Sequence, residues 1–124
     1  MEEKHVVIGA AGALGSAIVA FLASNGKNVR AVVRDLDRAR RVLPPSADIA
    51  IGDGSHAENV RLVCRNATVI YHCVNVPFES WDSVMPGVTD NILSGAREAQ
   101  ARLVFPGNVY GYGTLRATPV NEDH

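Results

Sequence analysis

The chain has 124 residues, a hydrophobic content of 47% and a formal net charge of −1. That length and composition suit one compact domain with a real core and exclude a disordered chain. Near-neutral charge gives no electrostatic reason for nucleic acid or an anionic membrane as partner, and no apolar run is long enough to span a bilayer.

The chain opens Met1-Glu2-Glu3-Lys4 and passes directly into an apolar run. It lacks the basic region, apolar stretch and cleavage site of a secretory signal, so a cytoplasmic protein is expected. Cys64 and Cys73 fit neither a zinc pattern nor a redox pair, and are expected to be buried or half-buried thiols in a reducing compartment.

His5–Ile8 reads as the first strand. Next comes Gly9-Ala10-Ala11-Gly12-Ala13-Leu14-Gly15, and then Leu14, Ile18, Phe21 and Leu22 recur at helical spacing, which predicts the apolar face of a helix ending at Asn25-Gly26. Val29–Val33 predicts a second strand, followed by a helix from near Asp35 to just before Pro44-Pro45. Ala47–Ile51 predicts the third strand, and Ser55 the cap of a helix carrying Val60, Val63 and Cys64. Thr68–Cys73 predicts the fourth strand, a helix from about Met85 or Val88 to Gln100 follows, and Arg102–Phe105 predicts the fifth.

The strands are continuous apolar runs without alternation, the pattern of a parallel sheet covered by helices on both faces. With right-handed crossovers this predicts an α/β fold of the Rossmann type, a doubly wound parallel sheet with strand order 3-2-1-4-5. Residues 1–113 would form this domain and residues 114–124 a truncated loop or tail.

The glycine turn lies between a buried strand and an amphipathic helix, which is the context of a dinucleotide fingerprint. Without Cβ atoms, Gly9, Gly12 and Gly15 let the backbone turn tightly and approach a pyrophosphate, while the helix N-terminus faces the anion. Ala11, Ala13 and Leu14 complete this cradle. Arg34 ends the second strand, nineteen positions beyond Gly15, where an acidic residue would accept the ribose hydroxyls of NAD. An arginine there suits the 2′-phosphate of NADP, although neighbouring Asp35 remains an alternative hydroxyl acceptor. NADP is therefore favoured over NAD. Asp53, with Gly54, follows the third strand where adenine would lie, and is open to two readings: an adenine contact, or an acid favoured by a helix N-terminus. His72, Cys73, Val74 and Asn75 leave the fourth strand at the same crevice, and the last three are assigned to the nicotinamide side. His72 itself reads as a packed or hydrogen-bonded side chain, and Phe78 and Trp81 as cover for the pocket or core. No serine occupies a nucleophile elbow, and His5, His56, His72 and His124 have no spacing that converges on an ion. No catalytic or metal-ligating residue is assigned.

Taken in order, Gly9-Ala10-Ala11-Gly12-Ala13-Leu14-Gly15, Arg30-Ala31-Val32-Val33-Arg34-Asp35, Gly52-Asp53, Tyr71-His72-Cys73-Val74 and Val109-Tyr110-Gly111 resemble the short-chain dehydrogenase/reductase superfamily. The resemblance is to its extended and atypical branches, related to nucleotide-sugar epimerases and dehydratases. It implies pyrophosphate binding by the first motif, an Arg34 contact to the adenosine phosphate, an Asp53 contact to adenine, and a nicotinamide beside the residues after His72. Two departures stand out. Pro106-Gly107-Asn108 replaces the hydroxyl-bearing stretch of the family, and Asn108 offers a substitute donor to an oxyanion. Lys4 and Lys27 are the only lysines, and neither lies four residues after a tyrosine, so the Tyr–Lys pair is absent. Tyr110 matches the tyrosine of the Val-Tyr-Gly motif, for which the resemblance implies a mainly structural role, and it is not assigned as the acid.

The expectation is that the chain is the cofactor-binding part of a longer oxidoreductase, a small-molecule substrate being bound only in that parent. The alternative is a complete, non-catalytic dinucleotide-binding or redox-sensing module. The exposed fifth strand is expected to support a homodimer.

Overall fold

The computed structural model describes residues 2–107, 114, 118–119 and 121–123. The expected boundary between residues 113 and 114, and the motif residues Asn108, Val109, Tyr110 and Gly111, lie outside that set.

Strand β1 (His5–Ile8), helix α1 (Ala13–Ser24), β2 (Val29–Val33), α2 (Leu36–Val42), β3 (Asp48–Ile51), α3 (Ala57–Val63), β4 (Val69–His72), α4 (Trp81–Ala99) and β5 (Arg102–Val104) alternate along the chain. All pair in parallel in the order β3-β2-β1-β4-β5, the predicted order. The continuous apolar runs occupy the centre: every residue of β1 is buried, and all but Arg30 in β2. Strands β3, β4 and β5 are each shorter than predicted, by one residue at the edges and by one at each end of β4, where Thr68 and Cys73 fall outside the strand.

Strand pleating sends alternate side chains to opposite faces. Val6, Ile8, Val32 and Ile70 pack beneath α3 and α4 with Val60, Val88 and Ile92. On the other face Val7, Ala31 and Val33 pack with Val19 and Leu22 of α1 and with Ala39 and Leu43 of the α2 region. At the α3–α4 contact, a Cβ on Gly95 would meet Cys64 Sγ at 3.0 Å.

Three local expectations are corrected. The buried face of α1 is Gly15, Val19 and Leu22, whereas Leu14 and Phe21 are 48% and 68% exposed. A helix that is apolar nearly all round cannot be oriented from periodicity, and the close approach of Gly15 to Gly9 and Ala10 in the turn after β1 decides which side faces the sheet. His56, not Ser55, precedes α3, and its side chain makes no capping bond. Helix α4 begins at Trp81, after a 3₁₀ turn at Phe78–Ser80, and carries Pro86 inside it. Pro86 is the sixth residue of α4 and has no N–H to offer the Asp82 carbonyl, a local loss that the packing of Met85, Val88 and Ile92 outweighs.

Both cysteines are free thiols, Cys64 buried and Cys73 half-buried. Burial pushes each up to about 11, so neither is a thiolate at neutral pH. Among the described residues no helix is long and apolar enough to cross a membrane.

Candidate functional site

The site is built where the chain leaves β1. Gly9 has φ +84°, and a Cβ there would lie 2.5 Å from the Cys73 carbonyl oxygen. Only glycine lets the turn pass so close to the exit of β4. Val32 O accepts from the N–H groups of both Gly9 and Ala10, at 3.2 and 3.1 Å, which fixes the turn to β2. Ala11 is half-buried in this turn. Gly15 is bare for a related reason: its Cβ would overlap the Gly9 carbonyl and sit 2.9 Å from Ala10 Cα.

Gly12 differs from both. Its φ of −75° is open to any residue, and a Cβ there would meet only Gly9 O, at an ordinary 3.6 Å. Packing therefore leaves this position free, and the space it keeps clear belongs to the cavity that Gly12 lines with Ala13 and Leu14. Helix α1 starts here with no side-chain cap and no acidic residue in its first turn. Its first amides and the positive end of its dipole are thus available to an anion. These features fit the pyrophosphate of a dinucleotide.

The cavity holds about 470 Å³ and continues along Cys73, Val74 and Asn75 after β4. Six of the twelve predicted cofactor-binding residues line it: Gly12, Ala13, Leu14, Cys73, Val74 and Asn75. Gly9 and Gly15 do not line it; their close backbone contacts form the turn that carries Gly12 to it. Its far wall includes Phe78 and Trp81, as one sequence reading had it, together with Met85, Phe105, Pro106 and Gly107, which the sequence reading missed. Topology carried the signal for Phe105 and its neighbours, since the ends of parallel strands converge on one crevice.

Arg34 and Asp53 follow β2 and β3 at the same edge of the sheet, outside this cavity. One Asp53 oxygen accepts from the Ser55 N–H at 2.9 Å and the Ser55 hydroxyl at 2.7 Å. These bonds, helped by nearby His56 and Arg34, outweigh partial burial and hold its carboxyl below the ordinary 3.8. Asp53 is therefore ionised at neutral pH and acts only as an acceptor. Its contribution to stability is present above the ordinary carboxylate range and is lost as pH falls through the lowered value. Asp35 caps α2, its Oδ1 accepting from the Arg38 N–H at 3.2 Å. Gly54 is absorbed in packing: a Cβ there would meet Val88 at 3.1 Å, and its carbonyl accepts from Asn91 at 3.0 Å.

His72 is 1% exposed, with Nε2 3.0 Å from the Thr89 hydroxyl and its ring 4.7 Å from that of Phe105. Burial lowers its pKa, so the imidazole is neutral at neutral pH. Its Nδ1 is buried without a hydrogen-bond partner among the described residues.

The fold is that of several solved epimerases. The Bordetella bronchiseptica enzyme WbmH, in complex with NAD+, superposes with a TM-score of 0.84 at 19% identity, over 100% of this chain and 45% of that one. A UDP-glucose 4-epimerase gives 0.83 at 18% identity, over 98% and 40%. A UDP-galactose 4-epimerase gives 0.79 at 26% identity, over 97% and 43%. The chain thus spans under half the length of these proteins. No curated protein matches the sequence. The family described as NAD(P)H-binding matches residues 9–122. The chain belongs to that NAD(P)H-binding family, within the short-chain dehydrogenase/reductase superfamily that its motifs resemble.

Proposed function

We propose that the chain binds its nicotinamide dinucleotide across the C-terminal ends of the strands, with NADP preferred. The observation that carries this reading is Gly12, a position bare of Cβ without any packing need, at an uncapped helix start. The pyrophosphate would be held by the first amides of α1 at Ala13 and Leu14. Cys73, Val74 and Asn75 would flank the nicotinamide side, and Arg34 and Asp53 the adenosine side, with Gly54 shaping the loop beneath. When bound, the cofactor supplies hydride chemistry; the chain supplies its position and its exclusion from water.

The preference for NADP rests on Arg34. With Asp35 engaged as the α2 cap, Arg34 is the group suited to a 2′-phosphate, and it carries a permanent charge. A charge-assisted bond of about 1.5–3 kcal/mol corresponds to roughly a ten- to hundredfold preference. Calorimetric titration should find NADPH bound tighter than NADH by that factor, and Arg34→Ala should bring the two affinities together. Equal affinities in the unaltered chain would remove the preference for NADP.

We further propose that the domain serves hydride transfer between the cofactor and a carbonyl or alcohol in a longer oxidoreductase of the epimerase or reductase type. Two free thiols support a reducing compartment, the cytoplasm.

A further inference from the structure

Beyond the dinucleotide cradle the cavity becomes aromatic and apolar. Phe78, Trp81, Met85 and Phe105 line it, and Trp81, Met85 and Phe105 also line a second cavity of about 340 Å³ that opens alongside. The two cavities adjoin at these three side chains, and together they make a cleft beside the residues assigned to the nicotinamide side.

Three features constrain what fits there. No lysine or arginine lines either cavity among the described residues, whereas Asp82 and Asp90 line the second. A ligand pyrophosphate in the second cavity would meet these carboxylates, away from the α1 amides proposed to receive the cofactor's own. Next, two polar pairs of the lining are occupied with one another: the Trp81 Nε1–H donates to Asn75 Oδ1 at 3.1 Å, and His72 Nε2 lies 3.0 Å from the Thr89 hydroxyl. Finally, one buried polar atom of the lining, His72 Nδ1, has no partner among the described residues. A ligand with an apolar body and few polar atoms matches this inventory; a polyhydroxylated, doubly charged one does not.

We infer that the cleft beside the nicotinamide side takes an uncharged compound with a flat aromatic body, and not a nucleotide sugar. This inference rests on the proposed placement of the dinucleotide.

The chain has a single tryptophan, so its one indole N–H resonance reports directly from the cleft. The test titrates the NADPH-loaded chain with 2-naphthaldehyde and, separately, with UDP-glucose, following that resonance by two-dimensional NMR. The aldehyde should shift it saturably, UDP-glucose at the same concentration should leave it in place, and Phe105→Ser should weaken the aldehyde about tenfold through lost apolar contact. A shift by UDP-glucose at lower concentration than the aldehyde overturns the inference, as does an unmoved resonance with both probes while NADPH is bound. If the aldehyde binds and calorimetry finds no NADPH binding, the dinucleotide reading fails and the ligand class stands.

Discussion

Gly12→Val keeps the fold and loses the dinucleotide, while Gly15→Ala, a smaller change, damages the fold itself. At Gly12 the backbone is ordinary and a Cβ meets only one protein atom, at van der Waals distance, so valine adds bulk mainly on the cavity side. It would stand where a phosphate must approach the amides of α1. Loss of charge-assisted bonds of about 1.5–3 kcal/mol lowers the affinity for NADPH and NADH alike by roughly ten- to hundredfold. At Gly15 a single methyl overlaps the Gly9 carbonyl and crowds Ala10 Cα, all of it backbone that is itself bonded to β2. Nothing there can rotate aside, so the cost lies at the upper end of overpacking, about 3 kcal/mol. Urea unfolding monitored by circular dichroism separates the two: an unchanged midpoint for Gly12→Val and a strongly lowered one for Gly15→Ala. A lowered midpoint in Gly12→Val would assign that glycine to packing.

Ile70→Ala is expected to cost the most among aliphatic truncations, about 2–5 kcal/mol. Ile70 is fully buried in β4, where it pairs with Val6 and Leu103 and joins the cluster beneath α3 and α4. Central strands cannot collapse onto a vacated volume, because ladders on both sides hold them. Total stability for a domain of this size is about 5–15 kcal/mol, so the variant forfeits a large share of it. Ile51→Ala is the matched control: Ile51 ends edge strand β3 and is 57% exposed, and its truncation should stay within about 0.5 kcal/mol. Equal losses in the two variants would contradict the assignment of the core to the central strands.

The strands and their order were legible because buried parallel strands leave continuous apolar runs, and β1 and β2 have the bounds read from sequence. Helix orientation was not. Leu14, Ile18 and Phe21 outweigh Gly15 on any hydropathy scale, yet the sheet selects Gly15 because it has no Cβ to clash. The start of α4 was obscured by Pro86-Gly87, which local propensity penalises and tertiary packing of Met85, Val88 and Ile92 overrides. At the site, the glycine cradle could be read because its chemistry is written in backbone geometry. The far wall could not: Met85 and Phe105 are the residue types of any core, and only the fold turns them toward a cavity.

The central claim is that the uncapped start of α1 receives the dinucleotide. Amide chemical-shift mapping during titration with NADPH and NADH tests it residue by residue. Saturable shifts are expected at Gly12, Ala13 and Leu14, with further shifts at Cys73, Val74 and Asn75 and at Arg34 and Asp53. Absence of binding by either cofactor at about millimolar concentration, or shifts confined to the opposite end of the sheet near His5 and Asn28, would contradict it.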